Sequence, residues 1–91
     1  MGITRDEHTV EVAGSTVAVT GTTGAVHATW TLVIDGENVE TAAAAGDFHL
    51  RGTLADGTAV KAAIHQSLVG PTRVVITHQD VEVLDERGFV A

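Results

Sequence analysis

Cysteine is absent from this chain, so neither a disulfide framework nor a thiolate metal centre can form, and the core and strand ladders must supply the stability unaided. That absence favours a reducing compartment. Aromatic residues are nearly absent too: Trp30, Phe48 and Phe89 are the whole set. A carbohydrate platform or a base-stacking surface needs several exposed rings, so both functions lose weight. Positive charge is scarce, with five Lys and Arg against twelve Asp and Glu and a formal net charge of −7. Such a chain repels a phosphate backbone, which argues against nucleic acid as a partner. No apolar run approaches the roughly 20 residues that cross a bilayer as a helix. The opening Met1–Glu7 segment also lacks the basic-then-apolar layout of a signal peptide. The resulting expectation is a soluble, cytoplasmic protein with no membrane partner and no cofactor.

What the chain has is rhythm. From His8 to Leu84, short runs carry apolar residues at every second position, and each run closes on a Gly, Asp-Gly or Gly-Pro turn signal. Only strands bury alternate side chains, so the expected fold is all-β: a small antiparallel meander of about eight strands forming a β-sandwich or flattened barrel. Ninety-one residues suit one domain. Residues 1–7 lack periodicity and are expected to fray, residues 8–85 form the domain, and residues 86–91 form a tail in which Phe89 and Val90 are available to dock. The run Ala42–Ala45 favours helix by propensity, but it is too short to nucleate one and reads as a strand end.

Turn chemistry sets the expected pairings. A four-residue loop at Asp35–Asn38 would place Ile34 opposite Val39, Leu32 opposite Thr41 and Trp30 opposite Ala43. At Asp56–Gly57 an odd loop keeps the apolar faces together, and one such loop pairs Leu54 with Val60 and Leu50 with Ile64. Gly52 then lies opposite Ala62, leaving a thin spot in the core that Trp30 could fill. No internal repeat stands out, although the Asp35 and Asp56 turns resemble two copies of one hairpin.

Histidine is the one enriched functional side chain, at His8, His27, His49, His65 and His78. Strand phase puts His27, His49 and His65 at outward parity, and the odd loop sets His49 across from His65. Two facing imidazoles suit a divalent metal, which makes a metal- or ligand-binding surface the alternative function. Catalysis has less support. Ser15 and Ser67 sit in turns outside any nucleophile-elbow pattern, and no triad is visible. Asp35, Glu37, Asp47, Asp56, Asp80 and Asp85 also cluster in turns, where Asp bonds nearby backbone amides. Gly21–Gly24 lacks the Lys-Ser/Thr and the helix of a phosphate loop, and neither Asp-Gly turn has the oxygens of a calcium loop.

The stretch Trp30-Thr31-Leu32-Val33-Ile34-Asp35-Gly36-Glu37-Asn38 resembles a strand-turn segment of the Fas apoptotic inhibitory molecule family. That resemblance covers nine residues and implies a compact β-sandwich acting by protein–protein contact rather than catalysis; it transfers no functional residue. The primary expectation is therefore a non-enzymatic interaction or assembly module with a protein partner or a second copy. It would use a sheet edge or the exposed face around Val33, Ala63 and Val75. The first and last strands are the candidate edges, partly protected by Glu11, Glu82 and Asp85.

Overall fold

The computed structural model describes residues 5–22, 28–43, 46–66 and 72–87. Every regular element among them is a strand: β1 (Arg5–Val12), β2 (Ser15–Thr22), β3 (Thr29–Ile34), β4 (Glu37–Ala43), β5 (Phe48–Thr53), β6 (Ala59–His65), β7 (Arg73–His78) and β8 (Val81–Arg87). They form two four-stranded antiparallel meanders, β1-β2-β3-β4 and β5-β6-β7-β8, packed as a sandwich. Arg5–Glu7 belong to β1, so this part of the 1–7 segment is paired rather than frayed, and β8 runs on through Glu86 and Arg87. Ala42 and Ala43 end β4 in strand conformation. Ala44 and Ala45, the dock offered by Phe89 and Val90, and His27 lie outside the described residues.

Side-chain parity follows the alternating pattern, whereas the pairings differ from expectation. Asp35 and Gly36 alone make the β3–β4 turn, both with positive φ (52° and 82°), as a tight primed hairpin requires. The longer loop is replaced by a bulge between Leu32 and Val33, so Ile34 pairs with Glu37, Leu32 with Glu40 and Trp30 with Ala42. In the β5–β6 hairpin five residues, Leu54 to Thr58, separate the paired Thr53 and Ala59. The odd count preserves the inner face, but the register sits two residues from the expected one: Leu50 pairs with Ala62 and Gly52 with Val60.

The two sheets repeat one arrangement, but the turn that matches Asp35–Gly36 is Gln79–Asp80 and not the second Asp-Gly turn at Asp56. Each ends in a two-residue turn, Asp35–Gly36 or Gln79–Asp80, preceded by a bulge at Leu32/Val33 or Ile76/Thr77. Superposing those landmarks places Ile34 on His78, and their partners Val17 on Val60. Continuing along the ladders, Gly21 falls on Ile64, Trp30 on Val74, His8 on Leu50 and Val10 on Gly52. A backbone bond recurs as well: Asp35 N donates to Thr16 O at 2.8 Å, and Gln79 N to Ala59 O at 3.4 Å.

The core between the sheets contains Val17, Val19, Trp30, Leu32, Leu50, Val60, Ala62, Ile64, Val74 and Ile76, each nearly or wholly buried. Trp30 does not fill space over Gly52. Its ring covers Gly21, where a Cβ would stand 2.4–2.7 Å from three ring carbons, while Ile34, Val39 and Leu32 occupy the space over Gly52. The indole N–H donates to Gln66 Oε1 at 3.2 Å, and Gln66 donates to Gly46 O at 3.1 Å, so the buried ring keeps its polar edge satisfied.

Candidate functional site

The described histidines, His8, His49, His65 and His78, are dispersed. His49 pairs with Ala63 and His65 with Arg73, so the facing imidazole pair is not formed. His65 Nδ1 instead approaches Asp47 Oδ2 at 3.3 Å on the exposed surface. Among the described residues no three His, Cys, Asp or Glu side chains gather as a metal cluster would. The expected apolar patch also divides. Ala63 and Val75 are cross-strand partners on the outer face of the second sheet, whereas Val33 belongs to the outer face of the first, on the opposite side of the sandwich.

One end of the second sheet concentrates chemistry-bearing side chains. The Asp56 carboxylate accepts from the Thr58 N–H at 2.9 Å, as turn aspartates do, and from the Thr58 hydroxyl at 2.5 Å. Those two bonds, hydroxyl first, hold its pKa below the ordinary carboxylate value. His78 Nε2 lies 2.7 Å from the same hydroxyl oxygen. Hydroxyl, imidazole and carboxylate thus meet, but in the order of a structural relay. An ionised carboxylate only accepts, so the Thr58 O–H donates its hydrogen bond to Asp56 and His78 Nε2–H must donate to the Thr58 oxygen. A nucleophile needs the opposite polarity, with imidazole withdrawing the hydroxyl proton.

On the outer face of that end lies an open groove of about 270 Å³, lined by Arg51, Gly52, Ala59, Val60, Lys61, Thr77, Gln79 and Asp80. Arg51 and Lys61 are direct cross-strand partners. Arg51 N donates to Glu40 Oε1 at 2.8 Å, so this backbone N–H points away from β6 and the Arg51–Lys61 pair is of the closely spaced kind. Neither cationic head group has an ion-pair partner among the described residues. Arg73 shows the contrast: its guanidinium meets both Asp85 oxygens at 2.8 and 2.6 Å, which lowers the Asp85 pKa and raises that of Arg73.

His8 is the residue that the sequence reading passed over. It is 5% exposed, with Nδ1 2.7 Å from Glu86 Oε1 across the seam between β1 and β8, and with Nε2 buried without a partner among the described residues. The signal was available, since His8 shares the inward parity of Val10 and Val12. The sequence therefore placed an imidazole in the core, but not the carboxylate that meets it from the other sheet.

Fold and surface together define a duplicated two-layer antiparallel sandwich with a polar groove at one end. The chain matches no protein-family model, no curated protein and no solved structure.

Proposed function

We propose that this protein is a non-catalytic interaction module that adds an extended segment of a partner protein, or of a second copy, to the edge strand β4. The carrying observation is the state of that edge. Six of the seven β4 residues are exposed, and its final stretch Thr41-Ala42-Ala43 carries no charge. The other edges are better defended. β1 carries Arg5, Asp6, Glu7 and Glu11, β8 carries Glu82, Asp85, Glu86 and Arg87, and Glu40 covers the Arg51 N–H of β5. Glu37 and Glu40 guard the half of β4 nearer the turn, which leaves the uncharged far end to supply main-chain hydrogen bonds to an added strand.

The short likeness of Trp30–Asn38 to the Fas apoptotic inhibitory molecule family agrees with action through protein contact. So does the relay polarity at Thr58, which supplies no activated nucleophile. The acidic balance speaks against nucleic acid, and the lack of cysteine accords with a cytoplasmic setting. No described helix is long and apolar enough to cross a membrane.

The test is sedimentation of the chain from about 10 μM to about 1 mM, alone and with proteins that copurify with it. Association should be present in the natural chain and lost in the Thr41→Lys/Ala43→Lys variant, which charges the edge without touching the core. Association that survives those lysines, or a monomer that binds nothing in either form, overturns the reading.

A further inference from the structure

We propose that the groove at the end of the second sheet is a binding site for a carboxylate, held between Arg51 and Lys61 with Gln79 as an additional donor. This site does not use the β4 edge, so either reading can fail alone. Arg51 and Lys61 stand directly opposite each other, and like charges in that position destabilise a sheet. In a chain with twelve acidic residues this pair nevertheless has no acidic partner among the described residues. The nearby acids are otherwise disposed. Glu40 is engaged with the Arg51 backbone N–H, and Glu82 sits opposite Thr77, outside the groove lining, where its field acts on Arg73. Asp80 alone lines the groove as an anion.

Donor inventory and charge select the ligand. Arg51, Lys61, Thr77, Gln79 and Asp80 all line the groove, and none of their side chains has a hydrogen-bond partner among the described residues. Among the lining residues alone, two cations less one carboxylate leave a single positive charge, and the carboxylates of Glu40 and Glu82 just outside the lining disfavour a dianion such as phosphate relative to a monoanion. A guanidinium fork takes both oxygens of a carboxylate, and the ammonium and primary amide add single donors. Asp80 at the rim is left to accept from a neighbouring N–H or O–H of the ligand.

The turn that supplies the rim is a second, independent observation. Gln79 and Asp80 both hold positive φ, 49° and 65°, without a glycine, whereas the equivalent turn in the first sheet is the relaxed Asp35–Gly36. In that turn Asp35 is spent on the Thr16 N–H at 2.9 Å, while the Gln79 amide is left to the groove. Backbone strain maintained where a cheaper sequence exists is characteristic of a position held for binding.

The experiment is a titration of the ¹⁵N-labelled chain with acetate, with inorganic phosphate, with an otherwise neutral peptide carrying one Glu, and with its Gln counterpart. Saturable shifts confined to Arg51, Lys61, Thr77, Gln79 and Asp80 are expected, with affinity falling about tenfold in Lys61→Gln or Arg51→Gln. Arg73→Gln removes the same charge from a cation already engaged, and it should leave the affinity unchanged. Tighter binding of the Glu peptide than of acetate assigns the carboxylate to a protein partner, and the reverse assigns it to a small acid. The proposal fails if the shifts do not saturate, if Arg73→Gln weakens binding as much as Lys61→Gln, if the Gln peptide binds as well as the Glu peptide, or if inorganic phosphate is preferred. The Thr41→Lys/Ala43→Lys chain should titrate normally, which separates this site from the β4 edge.

Discussion

Gly21 beneath Trp30 in the first sheet and Ile64 beside Val74 in the second are the same cross-strand pair of one duplicated unit. The first sheet concentrates its volume in one residue and removes the Cβ opposite, while the second divides the volume between two aliphatic chains. Both arrangements leave the larger residues wholly buried. A packed layer thus constrains the volume of a pair more tightly than its individual members. Elsewhere the copies diverge at some cost to one of them. His8 occupies the position of Leu50 and leaves a buried nitrogen without a partner among the described residues, and Gln79–Asp80 occupies that of Asp35–Gly36. Charge diverges too: among the described strands, Arg51, Lys61, Arg73 and Arg87 lie on the second sheet and Arg5 alone on the first.

Exchanging residues between the halves tests this comparison most directly. Trp30→Val should cost about 3–4 kcal/mol in chemical denaturation, because it empties a fully buried site. Gly21→Ile alone should cost about 3 kcal/mol, since a side chain there drives into the Trp30 ring. The double variant gives the first sheet the pair used by the second. It should be more stable than the two single costs summed predict, by at least about 1 kcal/mol; strict additivity would show that the two pairs do not play equivalent parts.

Replacing His8 by Leu copies the second sheet at the β1–β8 seam. It should stabilise the fold by about 1 kcal/mol, because it removes a buried nitrogen without a partner and leaves Glu86 exposed to water. A loss of stability would mean that the His8–Glu86 contact outweighs that penalty. Replacing Gln79-Asp80 by Asn-Gly should gain about 0.5–1 kcal/mol by relieving the positive φ angles. If the groove binds carboxylate as proposed, the same change should weaken that binding.

The smallest effect concerns acid. The folded-state pKa values of Asp56 and Asp85 are depressed, chiefly by the Thr58 hydroxyl and by Arg73 respectively. Their stabilising contribution is therefore complete above the ordinary carboxylate range and is lost as pH falls through the lower folded values, below about pH 4. Asp56→Asn and Asp85→Asn should each flatten the acid limb of the stability profile, with little change in its shape near neutrality.

Alternation of Val, Leu and Ile was sufficient to place eight strands and their inner faces, because burial on one side of a strand requires a two-residue period whatever lies opposite. Turn chemistry also placed Asp56 where its carboxylate caps nearby backbone. Pairing was a different matter. Ile34 met Glu37 rather than Val39, and His49 met Ala63 rather than His65, because bulge and loop length shift a register by whole residues while side-chain parity can survive. The chain's own pattern therefore determined which residues are buried and that strands bury them. Tertiary structure alone decided that the strands divide into two matching sheets, that Trp30 lies over Gly21, and that Arg51 and Lys61 stand together with no ion-pair partner among the described residues. Those are contacts between segments remote in sequence, and their geometry depends on bulges, turn lengths and sheet packing that a local rhythm does not encode.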